Sequence, residues 1–366
     1  MKKLRIGIAT FTWGDNYGAV LQAHALQVFL ARAGHDVEII DFRTFSRPKG
    51  LKRFVGKSVR LTERKWKAEL FERFRKAHMK FTPEVFKTKD ELAALRDRYD
   101  MVISGSDQVW NPRWLAQFNG LFELCFLSFA GEGTLRVSYA ASFGHSESSS
   151  IKQEWLELLA DCLKRMDAVS VREESGVKLV SEIGGRSDAV HVVDPTLLLE
   201  GTYYDVLAGP RRNRENYVFC YMLHELDSDA DLAVESIVSE SRLKCIRCDS
   251  QRSSIHKGYS LPSPKGWIRK IRDAEFVVTN SFHAVVFCVI FQVPFIAVLV
   301  KGSLSGMNAR IIDFLGDLNM QDRIIEPGGS VPKSLLRDAI VWNKAEQGMK
   351  RLTAVARGYL SRLELI

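Results

Sequence analysis

The chain has 366 residues, 46% of them hydrophobic and 26% charged, enough to bury a large core and to form two domains of ordinary size. No run of 18 or more apolar residues appears, which argues against a spanning helix. The six cysteines include several inside apolar runs such as Phe287-Cys288-Val289, and they read as small buried hydrophobes rather than as a disulfide framework. The N-terminus passes from two lysines straight into a strand-like alternation, with no long apolar region or small-residue cleavage site, so a cytoplasmic location is expected.

In chain order, "LRIGIAT" (4–10) reads as a strand, "GAVLQAHALQVFLARAG" (18–34) as a helix ended by Gly34, and "DVEIIDF" (36–42) as the next strand. Together they make a βαβ unit. Residues 43–80 then hold 14 Lys or Arg against 3 Glu, so +11 of the net +8 sits here and the remainder of the chain sums to −3. From Leu61 to Phe81 the residues Leu61, Trp66, Leu70, Phe71, Phe74 and Met79 fall at helical spacing, which predicts a basic amphipathic helix. Such a helix can lie on an anionic membrane face, hold an anionic acceptor, or be a solvated outer helix packed by its aromatic stripe. No nucleic-acid reader module accompanies the patch, so nucleic acid is not an expected partner.

Further strands are predicted at 100–106, 136–142, 167–172 and 189–194, with a helix at 151–166 between them. After the polar stretch 209–216, which has a linker's composition, strands recur at 217–223, 243–248, 275–280 and 293–300. Apolar strands alternating with helices imply mostly parallel sheets covered on both faces, here in two α/β domains. The C-terminal run from Lys344 reads as a long amphipathic helix. "CIRC" (245–248) has C-x-x-C spacing, but no second pair or His cluster completes a tetrahedral set, so no metal is expected there.

In open α/β sheets ligands bind beyond the carboxyl ends of the strands. Those positions carry polar groups. Asn16, Tyr17 and Gly18 follow the first strand and precede a helix whose free N–H groups can hold an anion. Ser106, Asp107, Gln108, Trp110 and Asn111 follow the strand at 100, and Arg172 ends the strand at 167. Ser281 and His283 open a very apolar helix after the strand at 275, where an anionic ligand would favour the imidazolium. Each also has a structural reading, as a helix cap, an Asx turn, a surface ion pair or a satisfied core histidine.

The segments "GIATFTWGDNYGAVLQAHALQ" (7–27), "VISGSDQVWN" (102–111), "YAASFG" (139–144), "SVREESG" (170–176), "VVDPTLLL" (192–199) and "DAEFVVTNSFHAVVFCVIFQVPFI" (273–296) resemble, in order, the motifs of the polysaccharide pyruvyl transferase family. The family usually has Gly after the motif His, where this chain has Ala284, and the basic segment 43–80 is outside the resemblance. The resemblance implies transfer of the pyruvyl group of phosphoenolpyruvate onto two hydroxyls of a sugar in a cell-surface polysaccharide or its precursor, giving a cyclic ketal and phosphate. It implies no cofactor beyond phosphoenolpyruvate as co-substrate, and no metal.

It also implies a GT-B-like fold of two Rossmann-like domains facing each other across a cleft. The first, 1–208, takes the acceptor, and the second, 217–345, takes phosphoenolpyruvate, with the helix 346–366 crossing back to the first by analogy of fold. On this reading His283 and Asp107 are catalytic: His283 binds the phosphate and donates a proton, and Asp107 orients or deprotonates the sugar hydroxyl. Arg172, Ser281, His283 and Arg310 hold phosphoenolpyruvate. For Arg310 a capping ion pair with Asp313 or Asp317 stays open. Asn16, Tyr17, Gly18, Ser106, Gln108 and Trp110 receive the acceptor, with Trp110, Trp13 and Tyr17 as flat faces for a sugar ring or as core aromatics beneath a loop.

The acceptor is a sugar, lipid-linked, nucleotide-linked or polymeric, and the basic helix leans towards a lipid-linked one with peripheral contact on the inner membrane face. Two rival readings are a GT-B-type glycosyltransferase that uses a nucleotide sugar and a non-catalytic glycan-binding protein.

Overall fold

The computed structural model describes residues 2–43, 58–211, 216–223, 237–249, 259–326 and 340–366, with isolated positions 235 and 335. Part of the expected basic segment, 44–57, and part of the expected linker, 212–215, lie outside the described residues. The first sheet has the order β2-β1-β3-β4, from Arg5–Ala9 (β1), Asp36–Ile39 (β2), Met101–Ser104 (β3) and Leu135–Ser138 (β4). A short parallel pair, Ser170–Val171 (β5) and Val190–His191 (β6), extends it through the bridges Val137 to Ala168 and Ala141 to Val171.

The second sheet has the order β11-β10-β9-β7-β8, from Tyr217–Met222 (β7), Lys244–Asp249 (β8), Phe276–Thr279 (β9), Phe295–Val298 (β10) and Ile324–Ile325 (β11). Every pairing in both sheets is parallel, with Ile8 opposite Ile39 on one side and Ile103 on the other. The strands are apolar on both faces because helices cover both: β3, β7, β9 and β10 are buried at every residue.

Two helices lack a polar face because both their sides are covered. The helix after β1, Tyr17–Arg32 (α1), is buried at 13 positions, and the helix Phe282–Phe291 after β9 at eight. They meet one another and the helix Pro264–Arg272 between the sheets. Tyr17 anchors this junction: its ring stacks on Trp267 at 5.2 Å and its hydroxyl donates to Pro262 O at 2.7 Å. One apolar cluster therefore runs from Ile6 and Ile8 of the first sheet to Phe219 and Val277 of the second.

The C-terminal helix spans Trp342–Arg362, starting before the expected position 346. Near its start Glu346 accepts from Gln292 and Arg351 donates to Asp317 O. At the other end Tyr359 donates to Ser138 O at 2.8 Å and Leu365 O meets His35. It thus crosses from the second sheet's flank to the first, where Ser138 ends β4. Among the described residues no helix is long and apolar enough to cross a membrane.

Candidate active site

Each sheet reverses its strand order at one place, between β1 and β3 in the first and between β7 and β9 in the second. Such a switch point leaves a crevice beyond the strand ends, because the flanking connections run off in opposite directions. Here the two crevices face each other. A cavity of about 370 Å³ is lined from the first half by Phe11, Trp13, Asn16, Asp107, Gln108 and Trp114, and from the second by Leu223, Met307 and Arg310. Its walls are apolar and aromatic, with a carboxylate, three amides (Gln117 being the third) and a guanidinium set among them.

Behind that wall lies a buried ionic cluster. Arg172, at the end of β5, holds three carboxylates: Glu173 at 3.1 Å, Asp194 at 3.2 Å and Asp107 at 3.6 Å. Its guanidinium also lies 4.9 Å from the centre of the Phe282 ring. Arg310 reaches the same Asp107 oxygen at 3.8 Å, not Asp313 or Asp317. His283 Nε2 lies 3.4 Å from Asp194 Oδ2, a polar contact between the second half and the first.

Asp194 is wholly buried and saturated: Ser106 Oγ donates to Oδ2 at 3.1 Å, and the Thr196 N–H and hydroxyl donate to Oδ1 at 3.0 and 2.7 Å. Burial alone would raise its pKa. The charges of His283 and Arg172, with the bonds from Thr196, outweigh burial and hold the carboxyl below the usual carboxylate range. Arg172 is likewise pushed down by burial but raised overall by Glu173, Asp107 and Asp194. For Arg310 burial wins, helped by repulsion from Arg172, and its pKa is pushed down to about 10.

Three N–H-bearing atoms of this cluster, Arg172 NH2, Arg310 Nε and His283 Nε2, are buried without a hydrogen-bond partner. Buried donors are ordinarily satisfied, so an acceptor is owed to them. The helix Phe282–Phe291 adds to the demand, because Ser281 occupies its N-cap position without a side-chain capping bond and leaves first-turn N–H groups uncapped by it. Together they form a corner of donors with the chemistry to hold an anion.

The structure brings Asn16, Gly18, Ser106, Asp107, Gln108, Arg172, Ser281, His283 and Arg310 to one locus, and changes several expected roles. Asn16 lines the cavity, but its carboxamide oxygen accepts from the N–H groups of Gly18 and Ala19 at 3.0 and 3.3 Å, so the start of α1 is capped rather than open to an anion. Tyr17 is buried against Trp267 and Phe71 and offers no face to a ligand. Gly18 touches His283 rather than a sugar, and Ser106 is spent on Asp194.

Trp110 is 0% exposed, stacked on Phe126, with its indole N–H given to Ser104 Oγ at 3.1 Å. It is core. The indole at the cavity is Trp114, four residues on, whose N–H donates to Gln108 Oε1 at 2.9 Å while Asn111 donates to the same oxygen. Trp13 lines the cavity as expected. Cys245 and Cys248, three apart on β8, take opposite faces: Cys245 meets Cys220 at 3.5 Å and Cys248 meets the Tyr17 hydroxyl at 4.0 Å. Among the described residues no group of three or more His, Cys, Asp or Glu could hold a metal.

Sequence reasoning passed over Asp194 and Glu173, although both stand in the quoted motifs. For Asp194 the signal was available: a carboxylate directly after the apolar strand "AVHVV", at the same sheet edge as the residues that were chosen.

The sequence profile of the family described as polysaccharide pyruvyl transferase matches residues 16–302, which contain the cavity wall from Asn16 to Leu223 and, except for Arg310, the ionic cluster. The chain belongs to the polysaccharide pyruvyl transferase family. No curated protein matches it. Among solved structures it is similar to Arabidopsis thaliana UGT89C1, at 12% identity and a TM-score of 0.52, with all of both chains covered. It is also similar to Staphylococcus aureus MnaA in a UDP co-structure, at 11% identity and 0.52, covering 100% of this chain and 98% of that one. A third is the UDP-GlcNAc 2-epimerase of Methanocaldococcus jannaschii, at 11% identity and 0.50, covering 98% and 100%. At such identities the likeness is one of fold: two Rossmann-like domains in a GT-B-like arrangement, as this pyruvyl transferase family member was expected to have.

Proposed function

We propose that this transferase moves the pyruvyl group of phosphoenolpyruvate onto two hydroxyls of a sugar in a polysaccharide or its precursor, releasing phosphate and leaving a cyclic ketal. The observation that carries the reading is the set of buried donors on Arg172, Arg310 and His283 that make no hydrogen bond, beside a helix start without a side-chain cap. Phosphoenolpyruvate brings a phosphate and a carboxylate, and the two guanidiniums and the imidazole supply forks and a point donor for both. The loose 3.6 and 3.8 Å contacts of Asp107 leave Arg172 NH2 and Arg310 able to meet a ligand.

The chemistry needs a proton delivered to the methylene carbon, attack by one hydroxyl on the central carbon, departure of phosphate, and closure by the second hydroxyl. In this reading His283 binds the phosphate and gives the proton, held in place by Asp194. Asp107, the carboxylate of the cluster that reaches the cavity, takes the hydroxyl proton. Each such transfer is worth on the order of 10²–10⁴ in rate. The sugar ring lies against Trp13 and Trp114, with Gln108 and Gln117 to bind its hydroxyls.

Calorimetry of phosphoenolpyruvate against the wild type, Arg172→Ala and His283→Ala tests the donor half, with UDP as control titrant. Binding of phosphoenolpyruvate that both substitutions weaken supports the reading. Binding of UDP alone, with release of nucleoside diphosphate on turnover, overturns it in favour of glycosyl transfer. Asp107→Asn should leave phosphoenolpyruvate binding nearly intact while abolishing turnover, and near-normal turnover would remove Asp107 from the mechanism.

A further inference from the structure

The basic helix Ser58–His78 (α2) has two unlike faces. Phe71 and Phe74 are buried, with Met79 just beyond the helix end, and Lys67 and Leu70 are half-covered beside them. The opposite side presents Lys65, Trp66, Glu69, Arg73 and Lys76 to solvent. At 3.6 residues per turn those five fall within a sector of about 100°. Its single acid, Glu69, is bonded to Arg73 at 2.8 Å. Trp66 is 53% exposed, a large indole left in water in a protein that wholly buries Trp110 and Trp267. The sequence leading in, residues 44–57, holds five Lys or Arg and no acid.

We propose that this face of α2 docks on an anionic bilayer surface. An indole with cations on either side of it suits the interface, where the ring enters the boundary between headgroups and acyl chains and its N–H stays hydrated. The cations meet lipid phosphates, and no acid on the sector lacks a partner to offset. A nucleic acid would be attracted by the same charge, but a single aromatic on a convex helix gives it neither groove nor stacking row.

The helix is tied to the active-site loop. Arg75 donates to Thr12 O at 2.9 Å, and a second cavity of about 510 Å³ is lined by Thr12, Trp13, Glu72, Arg75 and Lys76. Trp13 therefore lines both this cavity and the one proposed for the acceptor. Docking through α2 brings the acceptor cavity next to the headgroup layer, where a lipid-carried sugar would be presented. This consequence rests on the proposed function, whereas the docking itself does not.

The test is co-sedimentation of the full chain with vesicles of phosphatidylcholine alone and of phosphatidylcholine with about a third phosphatidylglycerol, repeated in high salt. The protein should sediment only with anionic vesicles and be released by salt. The triple substitution Lys65→Gln, Arg73→Gln, Lys76→Gln should weaken partitioning by at least about tenfold. Brominated lipids should quench the wild type more than Trp66→Phe, with the circular dichroism of both unchanged. No sedimentation, equal sedimentation with neutral vesicles, or an unaffected triple variant overturns the proposal. So does duplex DNA that binds through the same three residues while vesicles do not. Phosphoenolpyruvate calorimetry on the same preparation separates the outcomes, since loss of docking leaves that titration unchanged and loss of that titration leaves docking unchanged.

Discussion

The His283 imidazole lies directly against Gly18, so the starts of two helices from opposite halves of the molecule touch through a ring and a bare backbone. A Cβ at position 18 would overlap the ring atoms Nδ1, Cγ and Cε1. Gly18→Ala should therefore expel His283 from its place beside Asp194. The expected result is a fall in kcat/KM of about 10² or more, with a stability loss of about 1–3 kcal/mol from overpacking. Steady-state kinetics with thermal melts checks it, and an alanine variant of near-normal activity would mean that His283 acts from another position.

Asp194 connects His283 to Arg172 without itself reaching the cavity, so its effect passes through both. Asp194→Ala leaves a buried guanidinium short of a partner and should cost about 3–5 kcal/mol. Asp194→Asn keeps the shape and should fold, yet lose phosphoenolpyruvate affinity and kcat/KM, because Arg172 loses a carboxylate partner and the His283 ring loses the oxygen beside it. The carboxyl is depressed in the folded state, so the stability it contributes is present above the ordinary carboxylate value of about 4 and is lost as pH falls below it. Urea midpoints across the acid range should fall less steeply for Asp194→Asn than for the wild type.

The fold was legible because its evidence is periodic. The run of apolar strands and the restart at Tyr217 mark two parallel sheets, and the tendency of such sheets to bind ligands beyond their strands' carboxyl ends then points to where Asp107, Arg172 and His283 stand. What could not be read was side-chain direction in the loops. In "SGSDQVWNPRW" both indoles follow the same strand, and which one enters the core depends on the turn begun by Asp107, whose φ of 77° lies in the left-handed region. Tyr17 was misread for a related reason. Its partners Trp267 and Pro262 lie some 250 residues away, and nothing local in "GDNYGAV" shows that the second half packs on it.

The two tryptophans separate stability from function. Trp110→Phe removes the bond to Ser104 and part of a filled core, and should lower the melting temperature with little change in KM for the acceptor. Trp114→Ala opens the cavity wall and releases Gln108, and should raise acceptor KM about tenfold or more while the melting temperature shifts little. Melting curves beside acceptor saturation curves check both, and the reverse pattern would place the sugar on the wrong side of the loop.

A last expectation concerns acid. His24 of α1 is buried beside Phe74 and His78 of α2, with Nε2 2.6 Å from the Tyr203 hydroxyl. Burial, then repulsion from His78, pushes its pKa down from 6.5 to about 4. The unfolded chain therefore binds the proton first, so the stability tied to a neutral His24 is fully present above about pH 6.5 and is lost progressively as pH falls towards 4. At 1.36 kcal/mol per pH unit the loss is on the order of 3 kcal/mol. His24→Gln cannot take up that proton, so its urea midpoint should be lower than the wild type at neutral pH but decline more gently between pH 6.5 and 4. Because the ring lies between α1 and α2, hydrogen exchange in the same range should show α2 amides losing protection before those of β1 and β3 in the wild type. Parallel pH slopes for the two proteins would mean that His24 takes up its proton without loosening the fold.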